Sequence, residues 1–169
     1  MRPTALYLVV TAFILSACAN GFSNKQASAP DAGHRGDAAA ISRVLDNLHD
    51  AASKADEARY FSLFYPGGVF LGTDATERWT IPQFREYAHA RFATGRGWTY
   101  TLVERHIDFS PDGDAAWFDE LLNNSRYGLC RGTGVLLRDG STWKIAQYHL
   151  TIPVPNDIAE DVANQIKAR

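Results

Sequence analysis

The chain has 169 residues, 46% hydrophobic, 21% charged and 12% aromatic, with a formal net charge of −2. This is enough chain for one globular domain, and the near-neutral balance excludes a nucleic-acid binder that works by bulk positive charge. With 2 cysteines the chain has neither a disulfide framework nor a cysteine-based zinc site.

The first element is an address. Met1 to Thr4 carries one positive charge, and Ala5 to Leu15 is apolar apart from Tyr7 and Thr11. A membrane-spanning helix needs about 20 residues, so this shorter run predicts a secretory signal peptide. Its end, Leu15-Ser16-Ala17-Cys18, resembles the bacterial lipoprotein box. That resemblance implies cleavage before Cys18 and a diacylglycerol on its thiol. Residues 1–17 are then the signal peptide and 18–36 the lipidated cysteine with a flexible tether. Ala19 stands where an Asp would imply retention at the inner membrane. The expected location is therefore the outer membrane of the cell envelope, with the domain facing the periplasm.

The domain is expected to start at Asp37, an N-cap candidate, and to run to residue 169. Ile41, Val44, Leu45, Leu48 and Ala52 recur at helical spacing. A short helix follows over Asp56 to Phe64, stopped by Tyr65-Pro66-Gly67-Gly68. Val69 to Leu71 is a short strand, and Gly72 to Ala75 a turn. Thr80-Ile81-Pro82-Gln83 reads as a capping box with Pro in the first turn, opening a third helix. Four strands come next: Trp98 to Phe109, Asp114 to Asn123, Tyr127 to Arg138 and Thr142 to Ile152. Asn156 then caps a last helix with Ile158, Val162 and Ile166 spaced by four.

Helices followed by an antiparallel meander predict an α+β fold with helices on one sheet face. This order, with GTDATERWT before the third helix and GTGVLLRDGSTWKIAQYHLTIPVPN at the end, resembles the SnoaL-like branch of the nuclear transport factor two-like (NTF2-like) superfamily. The resemblance implies a cone: a curved sheet wrapped on helices, with a pocket inside. It also implies members that are isomerases, hydrolases, cyclases or binding domains, many of which pair back to back through the outer sheet face.

Strand register sorts the polar residues. A three-residue loop over 139–141 pairs Arg138 with Thr142 and Val135 with Ile145. Extended across the sheet, it sets Arg131 opposite His149, Asp119 opposite Arg131 and Arg105 opposite Asp119. One face then carries Arg105, Asp119, Arg131 and His149, with Trp117 and Trp143. Apolar indoles there point to a buried homodimer interface, in which Trp117, Asp119, Arg131 and His149 take part. The other face carries Glu104, His106, Glu120 and Tyr148 around small residues such as Cys130 and Gly132. Two opposed carboxylates repel, so one pKa rises unless a cation intervenes. Glu120 and His106 are the catalytic candidates, a general acid/base pair. Glu104, Tyr148, Tyr60, Phe64 and Trp79 are the ligand-binding candidates.

No GxSxG, P-loop, HExxH or dinucleotide fingerprint occurs, and the histidines lack metal-ligand spacing. No metal or cofactor is expected. Three functions stay open: a binder of a small, partly apolar molecule, an acid/base enzyme using Glu120 and His106, and a self-associating envelope module.

Overall fold

The computed structural model describes residues 32–169, with side chains from Asp37 onward. The expected signal peptide, Cys18 and most of the expected tether lie outside the described residues.

Helix α1 (Ala32–Ser53) opens before Asp37. Asp37 is therefore not a cap. Its carboxylate accepts hydrogen bonds from Arg138 Nη2 at 2.6 Å and Trp143 Nε1 at 3.2 Å, tying α1 to the end of the meander. The stripe Ile41, Leu45, Leu48 and Ala52 is buried, as its spacing requires. Helix α2 (Glu57–Ser62) is capped by Asp56, whose side chain accepts the Arg59 N–H.

Strand β1 (Phe64–Leu71) starts well before Val69 and contains the segment expected to be only a stop. Phe64 pairs with Ile145 but Val69 with Gln147, so Tyr65 to Gly68 bulges out. A Cβ on Gly68 would lie 2.9 Å from the Tyr65 carbonyl oxygen and 3.0 Å from that of Ile145, so the bulge closes only around glycine. Strand β2 (Arg78–Thr80) pairs with β1 and leads into α3 (Ile81–Phe92) at Thr80, where helix chemistry predicted a start. Gln83 Oε1 accepts the Thr80 N–H at 3.0 Å and its hydroxyl at 2.9 Å.

Strands β3 (Thr101–Phe109), β4 (Ala115–Asn124), β5 (Gly128–Asp139) and β6 (Thr142–Thr151) form the meander. The sheet order is β2-β1-β6-β5-β4-β3, with β1 parallel to β6 and every other pair antiparallel. The sheet is curved and unclosed, and it wraps α1 to α3 in the NTF2-like manner: the fold is α+β. Helix α4 (Ala159–Lys167) starts after Ile158 rather than at Asn156, and none of its residues is buried.

The expected registers need four corrections, the first being that Asp119 faces Thr133 rather than Arg131. The β5–β6 turn has two residues, Gly140 at φ +60° and Ser141, so Asp139 faces Thr142. This odd shift turns Trp143 inward, where it is buried rather than on an outer interface. A shift between Val135 and Leu136 then sets Gly134 opposite Tyr148 and Thr133 opposite His149. Finally, β3 carries a bulge between Leu102 and Glu104, so Arg105, not Glu104, faces Glu120.

Candidate functional site

The helical side of the sheet buries Phe118, Glu120 and Leu122 of β4, Cys130, Gly132 and Gly134 of β5, and Tyr148 of β6. Glu120 is 0% exposed, and only a dense set of donors makes that tolerable. Its Oε1 accepts from His49 Nε2 at 2.8 Å and from the Tyr148 hydroxyl at 2.9 Å. Its Oε2 accepts from Arg105 Nε at 2.8 Å. Arg105 Nη2 approaches the same oxygen at 2.7 Å, but off its N–H direction, so it adds charge attraction rather than an aligned bond. Arg105 is itself held by Nη1, which donates to Ser42 O at 3.2 Å and Asp46 Oδ1 at 2.8 Å.

Burial pushes the Glu120 carboxyl up. The His49 hydrogen bond, with the charges of His49 and Arg105, outweighs this and holds it below the ordinary value. Glu120 is thus an anion at neutral pH, and the cation that sequence reasoning left as a condition is Arg105. Tyr148 goes the other way: burial, then the Glu120 charge, drive its hydroxyl well above the usual phenol range, so it stays a donor.

An ionised Glu120 fixes the His49 tautomer. Nε2 must donate, so Nδ1 carries the lone pair when the ring is neutral. Nδ1 has no hydrogen-bond partner among the described residues and is not sealed in the interior. His49 and Tyr148 both line a cavity of about 430 Å³. Its walls are aromatic, with Tyr60, Phe70, Trp79, Phe84, Trp98 and Tyr100 prominent. Tyr60 and Tyr100 are both pushed up by burial, Tyr100 to about 12, so both are protonated.

Gly132 makes this packing possible. A Cβ there would fall inside contact distance of the Tyr148 hydroxyl and 2.9 Å from Glu120 Oε1. Cys130 is fully buried, and burial raises its thiol pKa, which keeps it unreactive. Among the described residues no group of three His, Cys, Asp or Glu side chains is placed to hold a metal ion.

Several expected site residues are elsewhere. His106 and Glu104 pair with each other at 3.2 Å on the outer face, 58% and 56% exposed. Neither reaches the pocket, so His106 is not the partner of Glu120. The β3 bulge is the reason, because an odd slip reverses every side chain beyond it. Phe64 is buried core and does not line the cavity, whereas Tyr60, Trp79 and Tyr148 do. Trp117, Asp119, Arg131 and His149 point to the outer face, where Trp117 is 47% exposed. Sequence reasoning missed His49 and Arg105. His49 was discoverable: it lies four residues after Leu45, on the edge of the apolar stripe of α1.

The SnoaL-like domain family matches residues 41–155, most of the chain. The chain belongs to the SnoaL-like domain family. Solved structures agree on the fold. A candidate dehydratase of the NTF2-like family from Streptomyces avermitilis is 15% identical, with a TM-score of 0.62, covering 72% of this chain and 99% of that one. A candidate aromatic ring hydroxylase from Novosphingobium aromaticivorans is 18% identical, with a TM-score of 0.61, covering 76% and 94%. A candidate scytalone dehydratase from the same organism is 11% identical, with a TM-score of 0.60, covering 72% and 87%. At these identities the SnoaL-like chain shares a fold with them, and the likeness carries nothing about chemistry. No curated protein matches the sequence.

Proposed function

We propose that this SnoaL-like domain binds a small, partly apolar molecule in its cavity and moves a proton on it, with His49 as base. One observation carries the reading: a buried, ionised carboxylate 2.8 Å from Nε2 of a histidine that lines an aromatic cavity and whose Nδ1 has no hydrogen-bond partner among the described residues. Glu120 orients the ring and stabilises the imidazolium formed when Nδ1 takes a proton. Return of that proton to another substrate atom gives isomerisation, and its delivery to a leaving hydroxyl gives dehydration. Arg105 is a positioning residue that keeps Glu120 charged.

The test uses 5-nitrobenzisoxazole, a flat aromatic probe. A base removes its ring C–H proton, the N–O bond breaks, and a coloured phenolate forms. The full chain is expected to open it at least tenfold faster than H49N, with a single ionisation in the pH profile. General-base catalysis is worth about 10²–10⁴ in rate, so a tenfold margin is modest. Equal rates from both proteins, with circular dichroism unchanged, would remove His49 as base. A ligand retained in native mass spectra by both proteins would then favour binding without chemistry.

The sequence supports two further parts of the proposal. The resemblance of Leu15-Ser16-Ala17-Cys18 to the lipoprotein box supports a lipid anchor at Cys18 and a domain facing the periplasm from the outer membrane. Radiolabelled palmitate is expected in the full chain and absent from C18A. The outer sheet face, with Trp117 among Asp119, Arg131 and His149, supports pairing of two copies. Sedimentation is expected to give a dimer that W117E reduces to a monomer.

A further inference from the structure

The charged groups lining the cavity are unequal in sign. His49 apart, they are Glu77, Arg91 and Arg126. Glu77 is turned toward its own hairpin, where Oε2 accepts the Asp74 backbone N–H at 3.1 Å. Arg91 sends Nε and Nη2 to the Gly97 carbonyl oxygen at 3.2 and 3.0 Å, and its guanidinium lies 5.6 Å from the centre of the Trp98 ring. Arg126 has no oxygen partner for its side chain among the described residues. Its guanidinium rests only over the Tyr127 ring, 5.1 Å from the centre.

The backbone that presents Arg126 is nevertheless held in place. It sits in the β4–β5 turn, where Asn124 Oδ1 accepts the Arg126 and Tyr127 N–H groups at 2.9 and 3.0 Å. Asn124 Nδ2 donates to Thr99 O at 3.0 Å, tying the turn to the neighbouring segment that also lines the cavity. A chain of net charge −2 thus presents an unpaired guanidinium at the mouth of its cavity. Phe70, Trp79, Phe84, Tyr87 and Trp98 form a layered wall that runs from buried Phe70 and Phe84 out to exposed Tyr87, neighbouring rings inclined by only 15° to 30°. A flat ring is the shape that continues such a stack.

Building on the proton-transfer reading of this pocket, we infer that its ligand is an aromatic carboxylate whose ring lies against the layered wall and whose carboxylate is taken by Arg126 at the mouth. The planar guanidinium fork matches a carboxylate with two parallel N–H donors, a fit that an ammonium or a neutral amide lacks. Arg91 adds a second positive charge to the cavity lining. The ring is left to place its far edge toward His49. A cavity of about 430 Å³ lies within the range usual for small-molecule sites.

The experiment titrates the full chain with 2-naphthoate and with its neutral counterpart 2-naphthamide, by calorimetry at low salt. The carboxylate is expected to bind at least tenfold more tightly than the amide. R126A is expected to weaken naphthoate at least tenfold and to change naphthamide less than twofold, with R126K intermediate. Arg126 is exposed, so these variants retain the fold, checked by circular dichroism. Equal affinities for acid and amide would overturn the inference and leave the pocket reading standing. So would a preference for the acid that survives R126A, because the anion would then be held elsewhere. Binding of neither probe would overturn the pocket reading and the inference together.

Discussion

Replacing Gly132 by alanine puts one carbon into the tightest polar contact of the site. The new Cβ would fall inside contact distance of the Tyr148 hydroxyl and 2.9 and 3.0 Å from Glu120 Oε1 and Cγ. Tyr148 has little room to retreat, because its ring stacks on Phe70 at 5.6 Å and 9°. The Tyr148–Glu120 hydrogen bond is therefore lost, at about 1.5–3 kcal/mol for a bond to a charged acceptor. Overpacking against the carboxylate adds about 1–3 kcal/mol. The stiffer unfolded chain returns about 0.4–1 kcal/mol. G132A should thus destabilise by about 2–5 kcal/mol. Y148F removes the same hydrogen bond and the hydroxyl that the Cβ strikes, so the double variant should lose that bond only once. Urea unfolding of the four proteins gives the cycle, and the expected coupling is about 1.5–3 kcal/mol. Additivity within about 0.5 kcal/mol would show that Gly132 is not what makes room for the Tyr148–Glu120 bond.

Two more outcomes follow from the same charge cluster. R105A leaves the Glu120 carboxylate buried without its cation and should cost about 3–5 kcal/mol in urea unfolding, whereas D46A, which touches only the outer end of Arg105, should cost about 1 kcal/mol or less. The pH dependence has a fixed sign: Glu120 has a lower pKa folded than unfolded, so its contribution is complete above the ordinary glutamate value of about 4.3 and is lost as pH falls through the lower folded value. Urea midpoints of the wild type should fall on acidification below about pH 4.3, and E120Q should lack that part of the slope; equal slopes would show that the carboxylate gains no net stabilisation of its charge on folding.

The fold was legible because its signals are local. The α1 stripe, the Thr80–Gln83 start of α3 and the four meander strands each follow from residues close in sequence. Face assignments on β4 to β6 survived errors in pairing for a simple reason. The true partners of Asp119 and of Thr133 are displaced by two from those expected, and a shift of two leaves every side chain on its face. On β3 and at Trp143 the displacement is odd, and the faces reverse. Those two places are where Glu104, His106 and Trp143 were misplaced and where Arg105 was not seen to enter the core.

Sequence by itself determined the class of fold, the burial of Glu120 and the inward direction of Tyr148, because alternation and flanking apolar residues are properties of one strand. Only the tertiary structure decided which groups meet Glu120. His49 comes from α1, 71 positions away, and Arg105 from a strand whose bulge has no distinctive residue to announce it. The identity of a buried charge's partners depends on the register and docking of separate elements, and no local pattern in the chain records either.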